Sequence, residues 1–271
     1  MFDIHTHSTH SDGTDTPAEL VAKARAVGLS LFALTDHDSL RGIPEAARAA
    51  SEISLPFLAG CELEAEYEDT LHILGIGLDI ENEALKALIR EKDRCRNERN
   101  RRLTEKLLRL GVDVAPALPE PELLTRGHFA DALVELGYAK DRFDAFDRFI
   151  GSGAPAFVKA EQPSPEEVAG IIRAAGGTAI IAHPMKMKKC DPAELIRDMA
   201  RLGIEGVEAH YCGATEGETR RFASLARENG LFVSCGSDCH GLRRPSSPIG
   251  GAWRDCEELK RTERLLIERY F

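Results

Sequence analysis

Short apolar runs and amphipathic stretches alternate along most of the chain. Runs rich in β-branched and aromatic residues fall at 2–5, 31–35 (LFALT), 56–60 (PFLAG), 72–78 (HILGIGL), 178–183 (TAIIAH), 206–210 (GVEAH) and 231–236 (LFVSCG). These read as strands. Between many of them lie segments with helical spacing, such as PAELVAKARAVG, SPEEVAGIIRAAGG and ETRRFASLARENG. Such segments open near Pro or an acidic residue and end at Gly, as helix capping prefers. Near-continuous apolar strands alternating with helices predict a parallel α/β architecture. About seven strands and eight helices suit a barrel better than an open sheet.

One region departs from this alternation. From Glu81 to Pro155 the sequence is helix-forming, with ALKALIREKDRCRNERNRRLTEKLLRLG, PELLTRGHFADALVELG and DRFDAFDRFIGSG in succession. The expected organisation is a barrel from residues 1–80 and 156–271, with a helical insertion over 81–155 that closes at GSGAP. The chain has no internal repeat and no low-complexity segment.

Composition narrows the classes. A chain of 271 residues can bury a substantial core, and 43% hydrophobic with 30% charged residues is ordinary for a soluble protein. No apolar run approaches the ~20 residues of a membrane span. No basic flank precedes an apolar stretch at the N-terminus, so a cytoplasmic protein is expected. Seven cysteines without CxxC spacing exclude a zinc ribbon or thioredoxin-type motif and read as reduced, mostly buried thiols. Strand alternation would turn Cys239 away from its neighbours Asp238 and His240. A net charge of −10 argues against general nucleic-acid binding through a basic surface. A phosphate substrate stays open, because bound divalent cations would invert the local field.

The polar residues supply the chemistry. His5 and His7 end the first strand, and Asp36, His37 and Asp38 the second. Glu62 and Glu64 follow the third, and His72 stands at the fourth. His183 ends the fifth, Glu208 and His210 the sixth, Asp238 and His240 the seventh. Any one of these alone would pass for a core histidine or a polar turn. Together they put seven of the nine histidines at strand ends. The C-terminal ends of parallel barrel strands form the catalytic mouth. His-x-His on a strand puts both imidazoles on one face, where they can grip one ion. A mixed His/Asp/Glu set suits Mn, Zn or Fe, and a bridging carboxylate suits two or more ions.

The stretches DIHTHSTHSDG, LTDHDS, GCELE, HILGIG, AHP and GSDCH resemble the successive motifs of the PHP (polymerase and histidinol phosphatase) family. That resemblance spans nearly the whole chain. It implies a metal-dependent phosphoesterase with a distorted (β/α)7 barrel. It implies nine metal ligands: His5, His7, Asp12, His37, Glu62, His72, His183, Asp238 and His240. They would serve two or three divalent ions, manganese first, with zinc, iron or magnesium as alternatives, and Glu62 as a bridge. Asp3 and Asp36 are expected to orient ligating imidazoles through the other ring nitrogen. His10 has no counterpart as a ligand and is expected at the surface.

The insertion resembles that of family members with a helical cap over the mouth, namely 3′,5′-nucleotide bisphosphate phosphatases and a bacterial 5′→3′ exoribonuclease. Residues 90–106 hold eight basic and four acidic side chains, and Arg99, Arg102 and Lys106 share a helix face. Arg99, Arg126 and His128 match that group's motif and are expected to reach substrate phosphate or base, with Lys159 and His210 as further candidates. The expected reaction is phosphomonoester hydrolysis by hydroxide generated at the metal ions. His37, His240 or Asp238 would supply the leaving-group proton. The expected substrate is a 3′,5′-nucleotide bisphosphate such as 3′-phosphoadenosine 5′-phosphate, and no membrane or stable protein partner is expected. Short RNA attacked from its 5′ end and histidinol phosphate are the rival substrates. A non-catalytic metal-binding PHP module is the rival class.

Overall fold

All seven apolar runs form strands, and they line up in chain order in one seven-stranded sheet. They are β1 (Phe2–Asp3), β2 (Leu31–Leu34), β3 (Phe57–Glu66), β4 (Thr70–Ile76), β5 (Thr178–Ile181), β6 (Gly206–Tyr211) and β7 (Phe232–Gly236). The structure, a computed structural model, describes residues 1–68, 70–119 and 124–271. Thr6 and Cys239 form a parallel bridge beyond the ends of β1 and β7. There the His7 N–H donates to the Cys239 carbonyl and the Asp238 N–H to the His5 carbonyl, both at 2.9 Å. These bonds bring the last strand back to the first and nearly close the sheet into the expected distorted barrel.

The sheet is not wholly parallel, which corrects the sequence expectation. β4 runs antiparallel to both β3 and β5, while β1–β2–β3 and β5–β6–β7 pair in parallel. Only residues 67–69 join β3 to β4, too few for the crossover that a parallel pair requires. β3 also runs past Gly60, where its apolar run stops. In CELEAE the apolar residues Cys61, Leu63 and Ala65 are buried on one face, while Glu62 and Glu64 share the other. Alternation, not continuous hydrophobicity, marks this half of the strand.

The helices are α1 (Pro17–Ala26), α2 (Ile43–Glu52), α3 (Glu83–Arg109), α4 (Arg126–Glu135), α5 (Arg142–Ala145), α6 (Pro165–Ala174), α7 (Pro192–Arg201), α8 (Glu216–Glu228) and α9 (Glu257–Tyr270). Local chemistry fixes where they start. Thr16 with Glu19 and Thr215 with Glu218 form reciprocal capping boxes, and prolines open α1, α6 and α7.

The chain divides into two units, Met1–Ala87 with Gln162–Phe271, and Leu88–Glu161. The helical segment was expected from residue 81, but α3 opens in the first unit. There Asn82 Oδ1 caps the Leu85 N–H at 3.1 Å, and Leu85 is buried. In the first unit, Leu20, Val21 and Ala24 of α1 and Ile43 and Ala46 of α2 form one buried cluster with Phe32, Leu34 and Cys239. The second unit has its own core, in which Leu103, Leu107, Phe129, Leu133, Ile150 and Val158 are buried. Of the cysteines, Cys61, Cys235 and Cys239 are buried, and the other four are half-buried.

Candidate metal centre

The nine expected ligands come together in the first unit. His5 and His7 follow β1 two residues apart, with ring centroids 5.1 Å from each other. Asp12 lies on the next turn, which needs glycine at 13 because a Cβ there would strike the His7 carbonyl. His37 follows β2 and forms a backbone bridge with Glu62 of β3. His72 lies near the start of β4 and pairs across the ladder with Glu64. Because β4 is reversed, its N-terminal end lies at the mouth formed by its neighbours' C-terminal ends. His183 follows β5, and Asp238 and His240 follow β7. Asp38, His183 and Asp238 adopt φ of +45°, +26° and +55°. Left-handed backbone at non-glycine residues is uncommon and costs on the order of 1–3 kcal/mol each, so surrounding structure must enforce it.

Glu62 stands at the middle. Its Oε1 is 2.7 Å from His72 Nδ1, 2.9 Å from His183 Nε2 and 3.4 Å from His5 Nε2. Its Oε2 is 2.8 Å from His37 Nδ1 and 3.4 Å from His7 Nε2. Asp238 Oδ1 lies 3.2 Å from His7 Nε2 and 3.4 Å from His240 Nδ1. Asp12 Oδ1 lies 3.2 Å from His240 Nε2 and 3.7 Å from His37 Nε2. The nine residues form four overlapping groups whose ligand atoms lie within 4.8 Å of one another.

The donor set fits cations. His5 Nε2, His7 Nε2, His37 Nδ1 and Glu62 Oε2 are buried and make no hydrogen bond among the described residues. Even the close His37–Glu62 approach is not aligned as a hydrogen bond. A buried unsatisfied polar atom costs about 1–3 kcal/mol, and four facing one another would be prohibitive in a purely structural network. Imidazole nitrogens and carboxylate oxygens converging in this way form a coordination set for divalent transition metals.

Charge sorts the side chains. Burial would raise Glu62, but His37, His72 and His5 outweigh it and hold its carboxyl well below the usual range. Burial acts the same way on Asp12 and Asp238. His37 and His240 overcome it at Asp12, and Lys186, His5 and Arg244 at Asp238, so both lie well below the carboxylate range. Burial, with neighbouring His240 and His37, pushes His7 well down, and burial with Lys186 pushes His183 down to about 3. Burial opposes charge on His37 too, but Glu62 and Asp12 raise it to about 9. His7 and His183 are therefore neutral, with lone pairs ready for a cation.

Behind this layer, His5 Nδ1 meets Glu208 Oε1 at 2.9 Å, and Glu208 Oε2 accepts the His183 N–H at 2.7 Å. Gly236 leaves room for the pair, because a Cβ there would collide with the Glu208 carboxylate and the His5 Cβ. His240 Nδ1 lies 2.9 Å from the Asp238 carbonyl, which directs Nε2 toward Asp12. Asp3 and Asp36 do not orient imidazoles directly, contrary to expectation. Asp3 lies level with backbone rather than rings and accepts the N–H groups of His5, Ser237 and Gly250. Asp36 accepts from Ser8 and Ser11, and the Ser11 hydroxyl, 3.5 Å from His7 Nδ1, links it to a ring of the ligand set. Partners of this kind typically govern metal affinity by about 10–100-fold. Glu208→Ala is expected to weaken metal binding by that factor, with Glu208→Gln intermediate, as read by titration with metal.

His210 lies outside these groups. A register shift between β6 and β7 at Glu208/His210 resets the alternation, so Tyr211 faces the centre instead. The Tyr211 hydroxyl donates to Asp238 Oδ2 at 3.1 Å. His210 is half-buried and lines a cavity of about 260 Å³ with Arg220 and Arg254. His10 is also half-buried and belongs to none of the groups. Arg99, Arg126, His128 and Lys159 lie in the second unit. Arg99 is buried, as are Lys92 and Arg96 at helical spacing, whereas Arg102 of the expected face is exposed. Arg126 Nη2 donates to the Val158 carbonyl at 3.3 Å, and its guanidinium stands 5.2 Å from the Phe157 ring centre. His128 Nδ1 accepts the Thr125 N–H at 3.1 Å, completing the α4 cap. Lys159 is exposed. The sequence reading overlooked Lys186, Tyr211 and Arg244, although Lys186 stands three residues after His183 and Arg244 four after His240.

A nearly closed α/β barrel with clustered His, Asp and Glu at its strand ends is built to hold metal ions, and its relatives make the chain a metal-dependent phosphoesterase, a hydrolase. The chain belongs to the PHP family, whose domain model matches residues 3–153. It is 38% identical over 246 residues to a 5′-3′ exoribonuclease of Haemophilus influenzae, covering 88% of this chain and 89% of the relative. It is 37% identical over 256 residues to a 3′,5′-nucleoside bisphosphate phosphatase of Chromobacterium violaceum, covering 92% and 90%. The solved structure of an amidohydrolase from Chromobacterium violaceum, with bound sulfate and no metal, matches at a TM-score of 0.90 and 34% identity. That match covers 99% of this chain and 96% of the other.

Proposed function

We propose that this enzyme removes the 3′-phosphate of a 3′,5′-nucleoside bisphosphate such as 3′-phosphoadenosine 5′-phosphate, with manganese as its ion, in the cytoplasm. The observation that carries the reaction class is Glu62, whose two oxygens face five imidazoles. The likeness to the bisphosphate phosphatase favours the nucleotide. In this reading His5, His7, Asp12, His37, Glu62, His72, His183, Asp238 and His240 hold the ions. Divalent ions bound here would supply Lewis acidity and make water at the site more acidic.

The chain's own groups do the rest. Glu62 keeps its negative charge and would offer an oxygen to each of the two ligand groups it belongs to. Asp238 is held ionised by Lys186, His5 and Arg244, so it serves as a ligand and not as an acid. The leaving-group proton then falls to His37 or His240, whichever imidazole is not engaged by an ion. Arg99, Arg126, His128 and Lys159 act in the second unit, which we read as the substrate cap. Arg126 offers a planar fork to phosphate. No helix is long and apolar enough to cross a membrane among the described residues.

The exoribonuclease relative supports a second reading, 5′→3′ trimming of short RNA. A phosphate-release screen with Mn²⁺ separates the two. Release from 3′-phosphoadenosine 5′-phosphate is expected, and an intact bisphosphate beside hydrolysed 5′-phosphorylated oligonucleotides or histidinol phosphate overturns the first reading. Arg126→Ala should lower kcat/KM for the bisphosphate by roughly 10–100-fold, the worth of a lost hydrogen bond to a charged group, with metal content unchanged. Loss of metal would make Arg126 a structural residue.

A further inference from the structure

Asp238 has two differently used oxygens. Oδ1 faces the imidazoles of His5, His7 and His240. Oδ2 takes Lys186 Nζ at 2.8 Å, Arg244 Nη1 and the Tyr211 hydroxyl. The Lys186 ammonium also stands 4.8 Å from the Tyr211 ring centre, and Arg244 Nη1 is 3.5 Å from the Tyr211 oxygen.

Two cations share one carboxylate oxygen here and repel each other at short range. Neither is sealed in. The Lys186 side chain is 42% exposed and that of Arg244 33%, against 3% for Asp238. Both cations therefore reach inward from the rim. Lysine carries three donors and arginine five. Among the described residues only Nη1 of the Arg244 guanidinium is engaged. Both residues ride on turns that follow strands, Lys186 after β5 and Arg244 after β7. Loops at the C-terminal ends of barrel strands are where such folds hold phosphate.

We propose that Lys186 and Arg244, with the Tyr211 hydroxyl, form an oxyanion site that takes the phosphoryl oxygens of the substrate and of product phosphate. The site rests on the phosphoesterase reading and deepens it. Ions held by the nine ligands would add Lewis acidity to the same phosphoryl group. Guanidinium supplies paired donors to two oxygens, and ammonium a point charge to the third.

The test is calorimetric titration of inorganic phosphate into manganese-loaded protein, with manganese per chain measured on the same samples. Lys186→Ala and Arg244→Ala should each weaken phosphate binding by at least about tenfold, with manganese content equal to wild type. Lys186→Arg should restore most of the affinity, which a loss of folding would not allow. Unchanged phosphate affinity in both alanine variants overturns the site. So does loss of manganese in step with phosphate, which would make the pair a positioning device for Asp238. Wild-type protein that binds phosphate through the pair but hydrolyses no phosphomonoester overturns the functional reading and leaves the oxyanion site standing. Wild-type protein that hydrolyses phosphomonoesters while both variants hold phosphate normally overturns the site alone.

Discussion

Glu62→Ala is expected to remove metal retention and turnover together, each by more than about 100-fold, the upper effect of losing a mere supporting partner. Among the described residues no other side chain meets five imidazoles, and Glu62 contributes to two of the four candidate groups. Its loss would leave His72 and His183 without the carboxylate they share with His5, and would leave Asp238 and Asp12, beside His5, His7 and His37, to offset a cation. Glu62→Gln keeps the shape but not the charge, so it should separate the two roles. If charge is what matters, glutamine behaves as alanine does. Metal analysis of the purified protein and phosphate release on the same samples provide the measurement. Full metal content in both variants would show that Glu62 is not a ligand.

Chelation is the second large effect. A ligand that binds only the folded state at 1,000 times its dissociation constant adds about 4.1 kcal/mol. At roughly 2–4 °C per kcal/mol, removing the ions should lower Tm by about 8–16 °C in calorimetry. An unchanged Tm after chelation would mean that no ion is held by the folded chain. The pH dependence of the metal-free protein follows from the same groups. Asp12, Glu62 and Asp238 are depressed, so they contribute stability above the ordinary carboxylate range and lose it as pH falls through that range. His183, held down to about 3, opposes folding from 6.5 downward, because only the unfolded chain then takes up its proton. His37, raised to about 9, contributes stability below 6.5 that is lost as pH rises from 6.5 to 9. The metal-free protein should therefore be most stable near neutrality. Added metal requires deprotonated imidazole, so its stabilising effect should grow between pH 6.5 and 9.

Much of this centre was legible in the sequence because its residues sit where chain periodicity puts them. His5 and His7 are spaced by two on an extended segment, and His37, His183 and Asp238 end apolar runs. The features that stayed hidden come from interruptions of periodicity. The reversal of β4 depends on a connection length, and it brings His72 in from the wrong-looking end of its strand. The register shift after Glu208 exchanges His210 for Tyr211, and a bulge of this sort leaves no mark in a hydrophobicity pattern. In the sequence Glu208 is only a polar residue at the end of its strand, and the fold shows it behind His5. Lys186 and Arg244 lie on turns, where sequence gives no direction for a side chain. In the insertion, charge spacing alone proposed Arg99, Arg102 and Lys106 as one face, whereas burial groups Arg99 with Lys92 and Arg96.

The bridge between Thr6 and Cys239 has a consequence for how the protein is made. The cluster takes its first imidazole from residue 5 and its last from residue 240, so no nascent chain shorter than 240 residues contains all of it. A nascent chain that has emerged only as far as β6 lacks Asp238 and His240 and has not closed the barrel. His5, His7 and Glu62 must then wait without Asp238 and His240 for most of the synthesis of residues 1–240. Contacts spanning so much of the chain are slow to form, because their loop-closure entropy comes before their reward. Filling the whole set of ligand groups is thus a late event, since two of the four groups need residues 238 or 240.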